Sequence, residues 1–265
     1  MISLGFNSVL FKSTTFAEAA KQAAYIGYDG IEISAIKGMC DHLDLDRWEE
    51  QASELKTIVS DLGIRFLSTE VASRDEERLM KAFEAAAAIG IPVVNIGPGG
   101  KSDVEGDLEA AAEAIQSLAE KAGAFGVTLC VKAHVGSSVY NTPTTLDLMD
   151  RVQSEGFGVD MDPSHIYRGN ENPEESLSKV IKRVKHIHIR DCIGRGPSPG
   201  GPRDQACGRG DINLAGYCKA MVDNKYNGPV SLEVIGPPLD LTQACIVAAE
   251  SYGYLNACLK MLGAR

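Results

Sequence analysis

Three strand-like segments in the last third of the chain each end in residues that can bind a metal or transfer a proton. They are Phe157-Gly-Val-Asp-Met-Asp162-Pro-Ser-His165, Val184-Lys-His-Ile-His188-Ile-Arg-Asp191 and Pro229-Val-Ser-Leu-Glu233-Val-Ile. A fourth segment upstream, Val127-Thr-Leu-Cys-Val-Lys132-Ala-His134, has the same form but carries a lysine where a carboxylate is expected. Short apolar runs that end in polar residues are typical of buried parallel strands, so we expect these ends to lie at one edge of a sheet.

The rest of the chain repeats the same strand-then-helix unit. Several of the eight strand-like segments follow a turn glycine, at Gly27, Gly63, Gly90, Gly126, Gly156 and Gly228. Helical spacing covers residues 15–26, 44–62, 74–89, 105–124, 142–155, 173–182, 213–224 and 242–262. Eight such units predict an α/β fold of the (β/α)8 TIM barrel type, because open sheets usually have fewer strands and a reversal of strand order. No linker divides the chain, so we expect a single domain over residues 1–265.

Composition argues against several classes of function. A formal net charge of −10 would repel nucleic acid and anionic membranes, so we expect neither as a partner. No apolar run approaches about 18 residues and the N-terminus lacks a signal-peptide pattern, which favours a cytoplasmic protein. The seven cysteines are scattered without a Cys-x-x-Cys motif, which disfavours a disulfide framework or a structural zinc site. A small, sugar-like substrate fits this composition better.

The strand ends predict a metal site. Residues two apart on a strand share a face, and barrel strands direct their terminal side chains into one mouth. Asp162, His188 and Glu233 would then converge from the sixth, seventh and eighth strands. Two carboxylates and one imidazole suit Mn²⁺, Co²⁺, Mg²⁺ or Zn²⁺. Such an ion would acidify a C–H beside a carbonyl, and a carboxylate could then transfer the proton through an enediolate.

At this point the sequence resembles the xylose isomerase-like TIM barrel superfamily of sugar phosphate isomerases and epimerases, over essentially the whole chain. The matching motifs are Gly-Tyr-Asp-Gly-Ile-Glu32, Asp162-x-x-His165, His186-x-His188-x-x-Asp191, Gly208-Arg-Gly-Asp211-Ile-Asn and Leu232-Glu233-Val. Each motif alone is weak evidence. Their order and spacing together identify the superfamily.

The resemblance implies a role for each matching residue. It implies that Asp162, His188 and Glu233 are metal ligands, that Glu233 is also an acid/base group, and that His165 and Arg190 belong to the substrate pocket. We also expect substrate contacts from three residues at the ends of other strands, namely His134, Glu32 and Asn7.

One position departs from the family pattern. The fifth strand of the family ordinarily ends in Glu-Asn-His, whose glutamate is the fourth ligand and second acid/base group, whereas here it reads Lys132-Ala-His134. Four arrangements are open: His134 replaces the ligand and Lys132 turns away; Lys132 pairs with Asp162 or Glu233 and fills the space; Lys132 is neutral and acts as a base or Schiff-base nucleophile; or Lys132 is carbamylated. We favour the first because the other ligand motifs are intact. Glu233 and Lys132 are the candidate catalytic residues.

Two other features have ordinary structural interpretations beside the functional ones. Glu32 and Glu70 either contact substrate or hold loops through salt bridges. Gly97-Pro-Gly-Gly100 either cradles an anion or is only a turn-rich loop, and it lacks the Gly-Lys-Ser/Thr of a P-loop.

The leading hypothesis is a metal-dependent isomerase or epimerase that acts on a sugar, keto-sugar or related polyhydroxy compound. The alternatives are a lyase or dehydratase acting on an oxidised sugar or glycoside, and a metal-free binding protein or partner subunit. An apurinic-site endonuclease shares the barrel but conflicts with the net charge and with only five histidines. The sequence leaves open a homo-oligomer and a heteromeric subunit.

Overall fold

The computed structural model describes all 265 residues and contains a closed barrel of eight parallel strands. The barrel strands are β1 (Ser3–Asn7), β2 (Gly30–Ile36), β4 (Arg65–Glu70), β5 (Val93–Ile96), β6 (Thr128–Lys132), β7 (Phe157–Asp160), β8 (Val184–Ile189) and β9 (Pro229–Leu232). Consecutive barrel strands pair in parallel and β9 closes onto β1. A two-residue strand, β3 (Cys40–Asp41), pairs antiparallel with the end of β2. The prediction of a (β/α)8 TIM barrel is confirmed.

Nine α-helices surround the barrel or cover its mouth. They are α1 (Phe16–Ile26), α2 (Trp48–Asp61), α3 (Glu76–Ile89), α4 (Asp107–Ala124), α5 (Thr142–Arg151), α6 (Pro163–Arg168), α7 (Pro173–Val180), α8 (Leu214–Asp223) and α9 (Leu241–Met261). Local sequence fixes many of their ends. Asp75 caps the first turn of α3 through the N–H of Arg78, and Gly90 ends that helix with φ 92°. None of the helices combines the length and the apolar character that crossing a membrane requires.

The apolar core is continuous between the strands and the surrounding helices, and polar side chains such as His186, Asp160 and Ser68 are buried inside the barrel. Sixty-eight buried apolar residues form a single cluster. At one side the strands approach closely, because a Cβ at Gly30 would lie 2.4 Å from the carbonyl oxygen of Arg65. Gly30 therefore sets the spacing between β2 and β4.

The long loop 192–211 after β8 is fixed to the mouth rather than free. Asp191 accepts hydrogen bonds from the backbone N–H groups of Cys192, Gly208 and Ile212. The guanidinium of Arg168, at the end of α6, donates to the carbonyl of Pro197 in this loop at 2.7 Å. The loop and α6 therefore form one packed unit over strands β7 and β8.

Candidate active site

Lys132, the last residue of β6, lies at the centre of a group of charged side chains in the mouth. Its Nζ atom is 2.8 Å from Glu233 Oε1, 3.2 Å from Glu70 Oε1 and 3.4 Å from His188 Nδ1. Burial by itself would lower the pKa of Lys132, but the charges of Glu233 and Glu70 outweigh it and raise that pKa above its ordinary value. Lys132 is therefore an ammonium ion, and a neutral amine acting as a nucleophile is disfavoured.

The two glutamates that hold Lys132 have opposite acidities. Burial and the charge of Glu233 outweigh Lys132 and raise the pKa of Glu70 to about 7. Burial would also raise the pKa of Glu233, but Lys132 and Arg190 hold that pKa well below its usual range. Asn7 donates to the other oxygen of Glu70 at 2.7 Å. Near neutral pH Glu70 can thus exchange a proton, whereas Glu233 stays ionised.

Arg190 is the second buried cation of the mouth. Its Nη2 atom donates to Asp162 Oδ2 at 3.1 Å, and its Nε atom donates to Ser164 Oγ at 2.8 Å. Its Nη1 atom lies 3.1 Å from Glu233 Oε2, in an ion pair that lacks hydrogen-bond geometry. Arg190 Nη1 and Glu233 Oε2 are consequently buried polar atoms without a hydrogen-bond partner, and such atoms need an explanation in a native site.

His188 is held between two carboxylates. Its Nδ1 atom is 2.5 Å from Asp160 Oδ2, and its Nε2 atom is 2.7 Å from Glu32 Oε2. Burial would lower the pKa of His188, but Asp160 and Glu32 outweigh it and raise the pKa well above its ordinary value. The raised pKa favours the protonated ring in this arrangement, and a protonated ring nitrogen has no lone pair for a metal.

Asp162 is also fully engaged. It precedes α6 as the N-cap residue and accepts from the N–H of Ser164 through Oδ1 at 2.8 Å. Its second oxygen accepts from Arg190. The helix-capping role of Asp162 follows from the Asp-Pro-Ser sequence, in which proline occupies the first helical position.

The expected metal-binding residues do not fit a resident divalent ion in this arrangement. Ligand atoms of Glu70, His188 and Glu233 do lie within 4.8 Å of one another, as do those of Glu32, His186 and His188. However, the first group surrounds the ammonium of Lys132, and the imidazolium of His188 belongs to both. The favoured expectation, in which Lys132 turns away and His134 replaces the ligand, is not what the structure contains, since Lys132 points inward and pairs with Glu233.

The structure places the candidate residues in two layers. The upper layer lines a cavity of about 430 Å³ and contains Lys132, Glu233, Arg190, His165 and His134 together with Glu70. The lower layer is buried beneath it and contains Asp162, His188, Glu32 and Asn7. Members of the lower layer contact members of the upper one, for example Asn7 with Glu70, so they can orient the groups that face the cavity.

His134 and His165 contact each other at one side of the cavity, with their ring centroids 4.1 Å apart and their planes tilted by 39°. Burial lowers the pKa of both rings. The Nε2 atom of His165 lies 3.0 Å from Arg190 Nη2, so this neutral ring helps to fix the guanidinium. His186, by contrast, is a packed histidine that bonds Asp160 and Ser68 inside the barrel.

Two contributors to the site lie outside the set of residues that the sequence predicts. From the sequence, Glu70 is only a strand-end carboxylate that either contacts substrate or forms a salt bridge. Its position as the last residue of β4 is the one feature that indicates a place in the site. Arg168 was not recognised, because the six-residue helix α6 was not predicted after Asp162. Its guanidinium contacts His165 at 3.0 Å.

The family model for the xylose isomerase-like TIM barrel matches residues 20–251. The inosose dehydratase of Clostridium perfringens is 24% identical over 263 residues, covering 86% of this chain and 85% of the relative. A 3-dehydroshikimate dehydratase of Pseudomonas aeruginosa is 24% identical over 237 residues, covering 84% of this chain but only 36% of that longer protein.

Solved structures of 25% identity or less share the fold. The D-allulose 3-epimerase of a Methylomonas species superposes with a TM-score of 0.76 at 17% identity, covering 97% of this chain and 98% of that one. A protein called IolI, solved with a bound zinc atom, gives a TM-score of 0.79 at 19% identity, with coverage of 96% and 97%. Two of these relatives are named as dehydratases and one as an epimerase. Because the family model matches residues 20–251, the chain belongs to the xylose isomerase-like TIM barrel family.

Proposed function

We propose that this protein removes a proton from the carbon beside a carbonyl group of a small polyhydroxy ketone, and that dehydration is the overall reaction. The proposal combines the reaction class expected from the sequence with the charges of the mouth. It assigns the electrostatic role to Lys132 and Arg190, and the proton transfer to Glu70.

The observation that carries the proposal is the unpaired hydrogen-bonding capacity at the cavity. Arg190 Nη1 and Glu233 Oε2 form an ion pair at 3.1 Å but make no hydrogen bond, and both residues line the cavity. A donor and an acceptor in this state match the carbonyl oxygen and a neighbouring hydroxyl of a polyhydroxy ketone. Substrate binding would therefore satisfy groups that the protein alone leaves unsatisfied.

The chemistry follows from the charges around that position. When a base takes the proton beside the carbonyl, negative charge develops on the carbonyl oxygen, and fixed cations in a water-poor site stabilise it. Lys132 and Arg190 supply these cations, and Glu233 holds both in place. Glu70, whose pKa is raised to about 7, accepts the proton.

Dehydration then needs one further step. The enolate re-forms the carbonyl, a double bond forms between the deprotonated carbon and the next carbon of the chain, and the bond from that next carbon to its hydroxyl breaks. Protonated Glu70 gives its proton to the leaving oxygen, which departs as water. The relatives named as dehydratases support this outcome over isomerisation. Epimerisation remains the second candidate, because it uses the same first step and the structural relatives include an epimerase.

The test is proton exchange followed by NMR in D₂O. The protein is incubated with a panel of cyclic and open-chain polyhydroxy ketones, including inosose and 3-dehydroshikimate. We expect deuterium to enter beside the carbonyl of at least one ketone, with loss of water from it. Lys132→Met and Glu70→Gln should reduce exchange at least a hundredfold, whereas Lys185→Met, which changes an exposed lysine on β8, should not.

Absence of exchange with every ketone in a folded wild-type sample would leave the binding-protein hypothesis. Exchange that survives in Lys132→Met would remove Lys132 from the mechanism. Loss of exchange in Lys185→Met would point to a general loss of structure instead.

A further inference from the structure

One cation at the cavity rim has no counter-charge in the protein. Arg74, in the segment between β4 and α3, lines the same cavity as Lys132 and Glu233. No carboxylate lies within 4.0 Å of its guanidinium, although the chain carries 36 acidic residues. Its only hydrogen bond is a long one of 3.5 Å to the carbonyl of Pro98.

The backbone around Gly99 is shaped to hold this guanidinium. Gly99 has φ 75°, and a Cβ built on it would lie 1.8 Å from Arg74 Cζ and 1.9 Å from Nη1. The guanidinium thus rests directly on the backbone of the Gly97-Pro-Gly-Gly100 loop, in space that any side chain would fill. This contact fixes a side chain that would otherwise be a freely moving surface arginine.

Two more residues that line this cavity carry donors. The backbone N–H of Gly99 and the hydroxyl of Ser137 make no hydrogen bond as donors within the protein, and both residues line the cavity. A planar guanidinium with an adjacent backbone N–H and a hydroxyl is a donor set that matches the oxygens of a carboxylate or phosphate.

The charge balance of the cavity supports an anionic ligand at the rim. Lys132 and Arg190 are neutralised by Glu70, Glu233 and Asp162, so their attraction is already satisfied inside the protein. Arg74 is the remaining unmatched charge. A cavity of about 430 Å³ accommodates a ligand of sugar size that reaches from Lys132 to the rim.

We propose that the substrate is an acidic polyhydroxy ketone, whose carboxylate or phosphate group is bound at the rim by Arg74, the N–H of Gly99 and Ser137. This inference rests on the proposed function only in taking the cavity as the substrate site. It adds the substrate class, since a neutral sugar would leave Arg74 unmatched.

The test measures binding rather than turnover. Titration calorimetry compares D-glucuronate, D-glucose 6-phosphate and D-glucose, each up to about 50 mM, on the wild-type protein. We expect one of the two acids to bind at least tenfold more tightly than glucose, with an advantage that shrinks as salt is added. Whether glucuronate or the phosphate ester binds more tightly identifies the anionic group.

Variants locate the effect. Arg74→Gln should abolish the advantage of the acid, and Gly99→Ala should reduce it, because the added Cβ displaces the guanidinium. Lys101→Gln is the matched control, since Lys101 is an exposed cation of the same loop that does not line the cavity. It should keep the full advantage.

The proposal is overturned if neither acid binds more tightly than glucose, including the case in which no probe binds, or if Arg74→Gln retains the advantage. Glu70→Gln separates the two proposals. Glu70→Gln should lose proton exchange yet keep the preference for the acid. A wild-type protein that shows the preference but no exchange refutes only the proposed reaction.

Discussion

Replacing Lys132 by glutamate should turn the mouth of this barrel into a metal site. The wild-type protein is expected to bind divalent ions weakly because of repulsion from the ammonium. An ion bound to Glu233 Oε1 at about 2.2 Å could lie no more than about 5 Å from Nζ, because Nζ is 2.8 Å from the same oxygen. With an effective dielectric of about 20, the repulsion at that distance is about 3 kcal/mol per unit charge and about 7 kcal/mol for a divalent ion.

Lys132→Glu removes this repulsion and adds an attraction of similar size. Solvent screening and side-chain rearrangement reduce this gain in binding free energy. If about 4 kcal/mol of the gain remains, the affinity for Mn²⁺ or Zn²⁺ rises about a thousandfold. Lys132→Met removes the cation without adding a ligand and should give an intermediate affinity. Titration calorimetry with each ion, together with elemental analysis after dialysis, measures the three affinities.

A wild-type affinity within tenfold of that of Lys132→Glu would refute the reasoning, since it would mean that Lys132 moves aside at little cost. A thermal melt of each variant separates loss of the fold from a change of affinity. Lys132→Met leaves Glu70 and Glu233 without their shared cation, so some loss of stability is expected in that control.

Three further predictions address acidity and packing. The rate of proton exchange should rise about tenfold per pH unit below pH 7 and level off above it, because Glu70 acts in its ionised form and its pKa is raised to about 7; Glu70→Gln should lack this rise in a pH–rate profile. Lys132→Met should lower the free energy of unfolding by about 3–5 kcal/mol, the usual cost of breaking a buried ion pair, whereas Lys185→Met should change it by less than about 0.5 kcal/mol in urea titrations. Gly30→Ala should destabilise the barrel by about 1–3 kcal/mol in the same assay, because its Cβ would lie 2.4 Å from the carbonyl oxygen of Arg65.

Most of the barrel was predictable because its signals are local. An apolar run and an amphipathic helix recur eight times, and six of the runs follow a turn glycine. Gly27 and Gly90 end their helices in the left-handed conformation as such turns require. Strand β3 and helix α6 were missed. Two residues and six residues are too short for periodicity to register, and α6 exists because Asp162 caps it.

The site was predictable in position but not in its pairing. Lys132, Glu233 and Arg190 line one cavity, whereas Asp162 and His188, which strand-end placement was expected to bring together with Glu233, are buried and do not line it. The ion pairs of Lys132 depend on its side-chain torsions and on the position of Glu70. Glu70 lies outside the motifs that the chain shares with the family, so the sequence does not predict its contact with Lys132. The sequence also does not predict that Asp160 and Glu32 contact the two ring nitrogens of His188, because both residues are distant from His188 in the sequence.

The contact between loop 192–211 and α6 has a consequence for how this protein can change over time. Arg168 bonds both the loop carbonyl of Pro197 and the ring of His165, and Arg195 of the loop stacks on Tyr167 of the same helix at 3.8 Å. A substitution in the loop can therefore shift Arg168 and, through it, His165 in the cavity wall, one helical turn away. Mutations in the two places should be epistatic, so that a new substrate preference acquired through the loop would depend on the residues of α6 that are already present.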